Sequence, residues 1–240
     1  MPRMGMVPGA RQPGLTESHM IRLAAALGRP ALLATLALTA APLQATTYTL
    51  EPDYTQGVFR WNHLGFSSPA AQFAQGQGTL EFDAADPTRS SVTVTIPLST
   101  LYTGVPGLDE HFRSSDFFDT ARFPTARFKS IQVEKGAMKN QLRVKGELTL
   151  HGTTRPVTLD VTIVRMGTNP RTSLPTVGFD GMTTLKRSDF GLGKYVPQVG
   201  DEIELRVISQ AVEAKAYAAY LKKQEAEEAA EAAAKGATQK

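Results

Sequence analysis

Cysteine is absent from the chain. That removes thiol nucleophiles, Cys-based zinc sites and disulfide stabilisation from consideration at once. There is one tryptophan, Trp61. A small β-protein places such a residue where a large apolar surface must be covered. No apolar run reaches the roughly 20 residues that a membrane-spanning helix requires. Charge of one sign is lacking too. Of 26 basic and 23 acidic residues, four basic (Arg3, Arg11, Arg22, Arg29) and one acidic (Glu17) fall in residues 1–45, which leaves 22 of each sign. A nucleic-acid binder shows a clustered basic footprint, so a nucleic-acid partner is not expected. No Gly-x-Ser-x-Gly elbow occurs, and Gly191 and Gly193 precede no amphipathic helix, which argues against a phosphate loop.

What is present divides the chain into three. Residues 1–45 form an N-terminal extension with an export signal. Arg22 and Arg29 supply the positive region, Ala31 to Ala41 the apolar core, and Pro42 to Ala45 a cleavage site near Ala45. The expected location is therefore the periplasm, with no transmembrane segment in the mature chain. Residues 46–212 form one β-domain, and residues 213–240, rich in Ala, Glu and Lys, a solvated helical tail with high helix propensity.

Within the domain the hydrophobic period is two. Val92, Val94 and Ile96 alternate with Ser91, Thr93 and Thr95, and Val157, Leu159, Val161 and Ile163 with Thr158, Asp160 and Thr162. Leu142, Val144 and Leu148 oppose Arg143, Lys145 and Glu147, while Ile203, Leu205 and Val207 oppose Glu202, Glu204 and Arg206. One wet and one dry face per strand means an antiparallel sheet. Eight or more such strands stack as a sandwich or close as a barrel. A segment from Ser99 to Phe123 breaks the pattern and reads as an insertion with a short helix at Asp109 to Arg113, folded over one end.

The stretch Val58 to Phe66 organises the rest. Phe59, Trp61 and His63 share one face of a strand, Arg60 and Asn62 the other. The aromatics are either plain core or the lining of a cavity with His63 at its mouth; the residues alone leave both open. Asp109, His111, Asp116 and Asp119 offer one imidazole among carboxylates, a poor zinc set. Capping of the short helix and pairing with Arg113 or Arg122 is the ordinary use of such residues. No metal, catalytic residue or cofactor is expected.

Several motifs stand in an order that resembles the YceI-like family of exported bacterial lipid-binding proteins. They are Phe59 with His63-Leu64-Gly65-Phe66-Ser67, Gly78 before Leu80 and Phe82-Asp83, and His111-Phe112-Arg113-Ser114 with Asp116-Phe117-Phe118-Asp119. Phe123-Pro124, Phe128-Lys129-Ser130, Gly146 to Gly152 and Arg187-Ser188-Asp189-Phe190-Gly191 follow. The resemblance spans roughly residues 47–212. It departs at Tyr54, where the family commonly has a histidine after Asp53.

The resemblance implies an all-β fold, an antiparallel lipocalin-like β-barrel with a helical insertion and a C-terminal helical tail. It implies a binding or carrier protein, not an enzyme, for a polyisoprenoid or quinone-type lipid held inside. Phe59, Trp61, Phe82, Phe128 and Phe179 are then expected to line the tunnel, with Tyr54 and His63 as polar contacts near an opening. Phe112, Phe117 and Phe118 are expected to cap or gate it. Two alternatives stay open: an enzyme using the segment Asp109 to Asp119 on such a lipid, and a structural module whose barrel is filled. An exposed sheet edge would favour a homodimer.

Overall fold

The alternating segments form ten strands in a computed structural model that describes residues 45–238, with side chains to residue 235. The export-signal reading, apart from Ala45, lies outside the described residues. The strands are β1 (Thr46–Leu50), β2 (Gln56–His63), β3 (Ala70–Phe73), β4 (Gln77–Phe82), β5 (Ser91–Pro97), β6 (Thr125–Lys135), β7 (Gln141–Leu150), β8 (Thr153–Thr168), β9 (Pro175–Lys186) and β10 (Val199–Glu213). Two helices accompany them, α1 (Pro106–Arg113) and α2 (Ala214–Thr238).

Every pairing is antiparallel, and the order β1-β4-β5-β6-β7-β8-β9-β10 closes through β10 and β1. β1 and β2 lie end to end against the same strand, with Leu50 opposite Ala211 and Gln56 opposite Ile208. Six steps along the first strand match three along β10, and the surplus is taken up by a 3₁₀ turn at Pro52–Tyr54. β4 and β3 face β1 and β2 in the same way. Each of these two pairs is thus one bent stave, and the ring is an eight-stave up-and-down barrel. Closure pairs the strand edges around most of the ring. β3 ends the strand order, and its outer side is bridged by Tyr102 opposite Gln72.

Closing a sheet bends it, and the bends sit at register slips. One lies between Ser130 and Gln132, another between Ile163 and Arg165. The extra residue at a bulge is left unpaired. Ile131 and Val164 are accordingly turned out to solvent although both are aliphatic.

The staves define two ends. Connections 83–90, 136–140 and 169–174 gather at one, together with the start of β1. This end is filled: Tyr48 and Phe179 each meet the Phe82 ring edge-on, at 6.1 and 6.0 Å. Val177 and Ala211 beside them have no exposed surface. Connections 64–69, 98–124, 151–152 and 187–198 gather at the other end.

The longest of these, 98–124, is the expected insertion. Its helix is about one turn longer than the charged residues indicated, because Pro106 occupies the first turn, where a missing N–H costs nothing. Asp109 sits in that turn, and its carboxylate accepts from the Thr103 backbone N–H and hydroxyl, both at 2.7 Å. α2 begins where the Glu213 carboxylate takes the free N–H groups of Lys215 and Ala216.

Closure also demands close strand contact at Gly78. A Cβ there would lie 2.0 Å from the Thr93 carbonyl oxygen, which belongs to the backbone of β5 and cannot swing away. Gly78→Ala is expected to lower unfolding stability by about 1–3 kcal/mol. The shift should appear in the urea midpoint with little change in slope.

Candidate functional site

The inward parity of β2 builds one wall of a cavity of about 530 Å³. Gly57, Phe59, Trp61 and His63 project to the same side, and all four line it. Phe59 stacks on Phe73 of β3 at 5.4 Å and leans on Trp61 at 5.7 Å. The insertion closes over this wall: Phe112 meets Trp61 edge-on at 5.4 Å, and Phe118 meets Phe73 in the same way at 5.3 Å. Phe117 packs on Phe112 at 5.1 Å and on the His111 imidazole at 4.9 Å. The rest of the lining is aliphatic, with Leu205 of β10 directly beside Phe59 and with Ile96, Leu148, Leu159 and Leu185 on other staves. Phe128 lies deeper and is buried.

Of the residues around the cavity, only His63, Ser67, His111, Arg127, Arg187 and Tyr195 are polar, and none is acidic. Arg187 is buried, and its guanidinium is held by backbone carbonyls. Nε donates to Gly200 O at 2.9 Å, Nη2 to Val199 O at 2.9 Å, and Nη1 to Lys194 O at 2.8 Å and to Leu192 O. Burial lowers its pKa from the ordinary guanidinium value, and the field of Asp201 opposes the shift. The Asp201 carboxylate is itself occupied, accepting from the Ser188 N–H at 2.9 Å and hydroxyl at 2.7 Å. Arg187 therefore stitches the connection 187–200 into a fixed shape at the cavity's rim.

A second link crosses the mouth. Lys194 pairs with Asp116 at 2.5 Å, while Phe117 contacts Tyr195 at 6.2 Å, so the insertion is strapped to the β9–β10 connection. The hydrogen bond from Lys194, then its charge, holds the Asp116 carboxyl below its usual range, and the same bond raises Lys194.

The structure sorts the sequence candidates. Phe59, Trp61, His63, Phe112, Phe117, Phe118 and Phe128 converge on the cavity. Phe82 and Phe179 do not; they meet edge to face in the filled end. Tyr54 also lies elsewhere. The 3₁₀ turn carries it outside the ring, 40% exposed, with its hydroxyl 3.3 Å from Arg171 Nη2. The insertion's acids have local partners, Thr103 for Asp109 and Lys194 for Asp116. His151, in the β7–β8 turn, bonds the Phe190 carbonyl through Nδ1 at 3.1 Å. Among the described residues no cluster of acids and histidines could hold a metal ion. Gly57, Phe73, Arg187, Tyr195 and the aliphatic wall were missed as lining. The dry-face parity of Leu148, Leu159 and Leu205 was the available signal, overshadowed by the aromatics.

An up-and-down barrel of eight staves, sealed at one end and hollow beneath a helical flap at the other, defines a lipocalin-like ligand-enclosing protein. Within that class the chain belongs to the YceI-like domain family, whose model matches residues 48–211. A UPF0312 protein of Pseudomonas savastanoi is 35% identical over 162 residues, 67% of this chain and 83% of that protein. Protein YceI of Escherichia coli O157:H7 is 34% identical over 157 residues, covering 65% and 81% respectively. Among solved structures, Burkholderia cenocepacia BcnA superposes with a TM-score of 0.58 at 25% identity, covering 65% of this chain and 95% of BcnA. A polyisoprenoid binding domain from Saccharophagus degradans superposes with a TM-score of 0.55 at 14% identity, covering 70% and 99%, and shares the fold.

Arg187→Ala strips four carbonyls of their buried donor. It is expected to cost roughly 3 kcal/mol of stability in urea unfolding, and Arg187→Lys only part of that, since a point ammonium cannot span the same acceptors.

Proposed function

We propose that this protein is a binding or carrier protein for a long-chain isoprenoid or similar amphipathic lipid, of the quinone or polyprenyl type, and that it works in the periplasm after export. The observation that carries this reading is the chamber: about 530 Å³, walled by aromatic and aliphatic side chains, with no carboxylate in its lining. A cavity of that size lies within the usual range for small-molecule sites. Its chemistry rewards apolar chains. Each buried CH₂ is worth about 0.8 kcal/mol, so even partial enclosure of a lipid gives ample affinity. The name of the Saccharophagus degradans neighbour and the membership of the YceI-like family support the same ligand class. The leader read in residues 1–45 supports export, and no described helix is long and apolar enough to cross a membrane.

The chamber's size limits how such a lipid sits. A chain longer than the chamber leaves part of its length in the mouth. Discrimination along the chain is weak because methylenes are interchangeable, so selectivity falls to the end of the ligand that meets His63, His111 and Tyr195. The enzyme reading has less support, since Asp109 and Asp116 are engaged in holding the insertion. The filled-barrel reading has less still, given the hollow.

Native mass spectrometry of the secreted form is expected to show a co-purifying lipid that denaturation releases. Finding apoprotein alone, even after incubation with isoprenoids, would end the proposal. Gly57 gives the matched variant. A Cβ there would meet Leu205 Cδ1 at 3.6 Å, an ordinary contact, so a larger side chain can grow into the chamber. Gly57→Leu is expected to keep the circular dichroism spectrum and lose most of the bound lipid.

The strap gives a kinetic prediction. An exposed ion pair contributes weakly, so Asp116→Asn should speed lipid exchange by at most about fivefold. Because the Asp116 pKa is depressed, its contribution persists above the ordinary carboxylate value of about 3.9. It disappears only as pH falls through the lower folded value. Wild type should therefore match the variant in acid and differ at neutral pH, as read by fluorescent-lipid exchange.

A further inference from the structure

The rim of the chamber carries a second apolar surface, and it faces outward. At the tip of the β2–β3 hairpin Phe66 is 93% exposed, with Leu64 beside it at 49%. Tyr195 on the β9–β10 connection, and Tyr102 and Val105 on the insertion, are each more than half exposed. These side chains come from three separate connections at one end of the barrel. Ile131 and Val164, exposed on its wall, are single bulge residues and form no such group.

The hairpin tip is a built turn. His63 N–H donates to Ser67 O at 2.8 Å, Phe66 N–H to His63 O at 3.0 Å, and Gly65 N–H to Asn62 Oδ1 at 2.8 Å. Leu64 and Gly65 both take left-handed backbone, with φ of 57° and 76°. Leu64 does so against its own preference. Phe66 is thereby held away from the chamber, while Ser67 and Pro69 of the same loop line it. One hairpin thus carries Trp61 on the chamber wall and Phe66 exposed at its tip.

Lys194 at this rim is paired with Asp116. Arg155, whose Nε donates to the Asp189 carbonyl, keeps its charge. The exposed aromatic and aliphatic side chains of the hairpin tip suit the boundary between headgroups and acyl chains. A lipid passing between the chamber and water would expose its chain, and a mouth seated on a bilayer removes that step. We propose that Phe66 and Leu64 lead the docking of the chamber's mouth onto a lipid bilayer, by apolar insertion that does not depend on headgroup charge. This rests on the carrier reading and names the surface that would deliver or receive the ligand.

The test is flotation of the secreted protein with neutral phosphatidylcholine vesicles. Phe66→Ser should weaken partitioning by about tenfold and Leu64→Ser by less, since the first loses the larger apolar area. Met182→Ser, at a comparably exposed apolar site on the barrel wall, should leave partitioning unchanged. Phe66 is almost wholly exposed, so the variant is expected to retain the wild-type circular dichroism spectrum. Equal partitioning of wild type and Phe66→Ser would overturn the proposal. So would binding that requires anionic lipid or is reversed by salt, or a dimer that Phe66→Ser dissolves, which would make the rim a contact between copies. Uptake of geranylgeraniol from solution, read in parallel by native mass spectrometry, should be the same in both proteins. If wild type fails to take it up, the carrier reading falls, and the vesicle result still decides the docking surface.

Discussion

A sheet that closes on itself encloses a space, and the pairing of β10 with both β1 and β2 is where this one closes. β10 is long enough to serve two short strands in succession. The 3₁₀ turn at Pro52–Tyr54 absorbs the residues that a straight stave could not accommodate. Once the ring is shut, the staves are joined by antiparallel ladders, with β3 bridged on its outer side at Gln72. The side chains on the dry parity then have only the interior to occupy. Whether that interior is core or chamber is decided by how many large side chains each end receives.

The two ends receive different amounts. At one, Tyr48, Phe82 and Phe179 meet edge to face and leave little room. At the other, most of the aromatics sit on β2, β3 and the insertion, with Phe128 of β6 apart from them, and the remaining staves carry aliphatic side chains. The hollow is therefore a product of asymmetry across the ring. The aromatic rings that cover it come partly from α1 and the residues after it, held by hydrogen bonds and one exposed ion pair. Such a flap is tied by fewer hydrogen bonds than the ladders that join the staves.

Polar chemistry at this end is structural in the first instance. Arg187 directs its donors to four carbonyls, two in the β9–β10 connection and two at the start of β10, and Asp201 and His151 hold the chain on either side. These groups shape the rim. The apolar surfaces, inward on Trp61 and outward on Phe66, are both carried by one hairpin.

Strand period, turn positions and the break at residues 99–123 were legible in the chain because they are local: side-chain alternation follows from the pleat, and a flap announces itself by losing that alternation. The same local rule put Phe59, Trp61 and His63 on one face. It had no means of telling Phe128, which reaches the chamber, from Phe82 and Phe179, which fill the far end, since all three lie on dry faces and differ only in height along the barrel. Nor could it carry Tyr54 outside the ring, because that depends on the register slip between β1–β2 and β10. The buried guanidinium of Arg187 was likewise invisible, as its partners come from the folded β9–β10 connection and the start of β10. By itself the sequence determined which side of each strand is dry; the tertiary structure alone decided where the dry sides crowd together and where they stand apart, because that distance is set by closure and register.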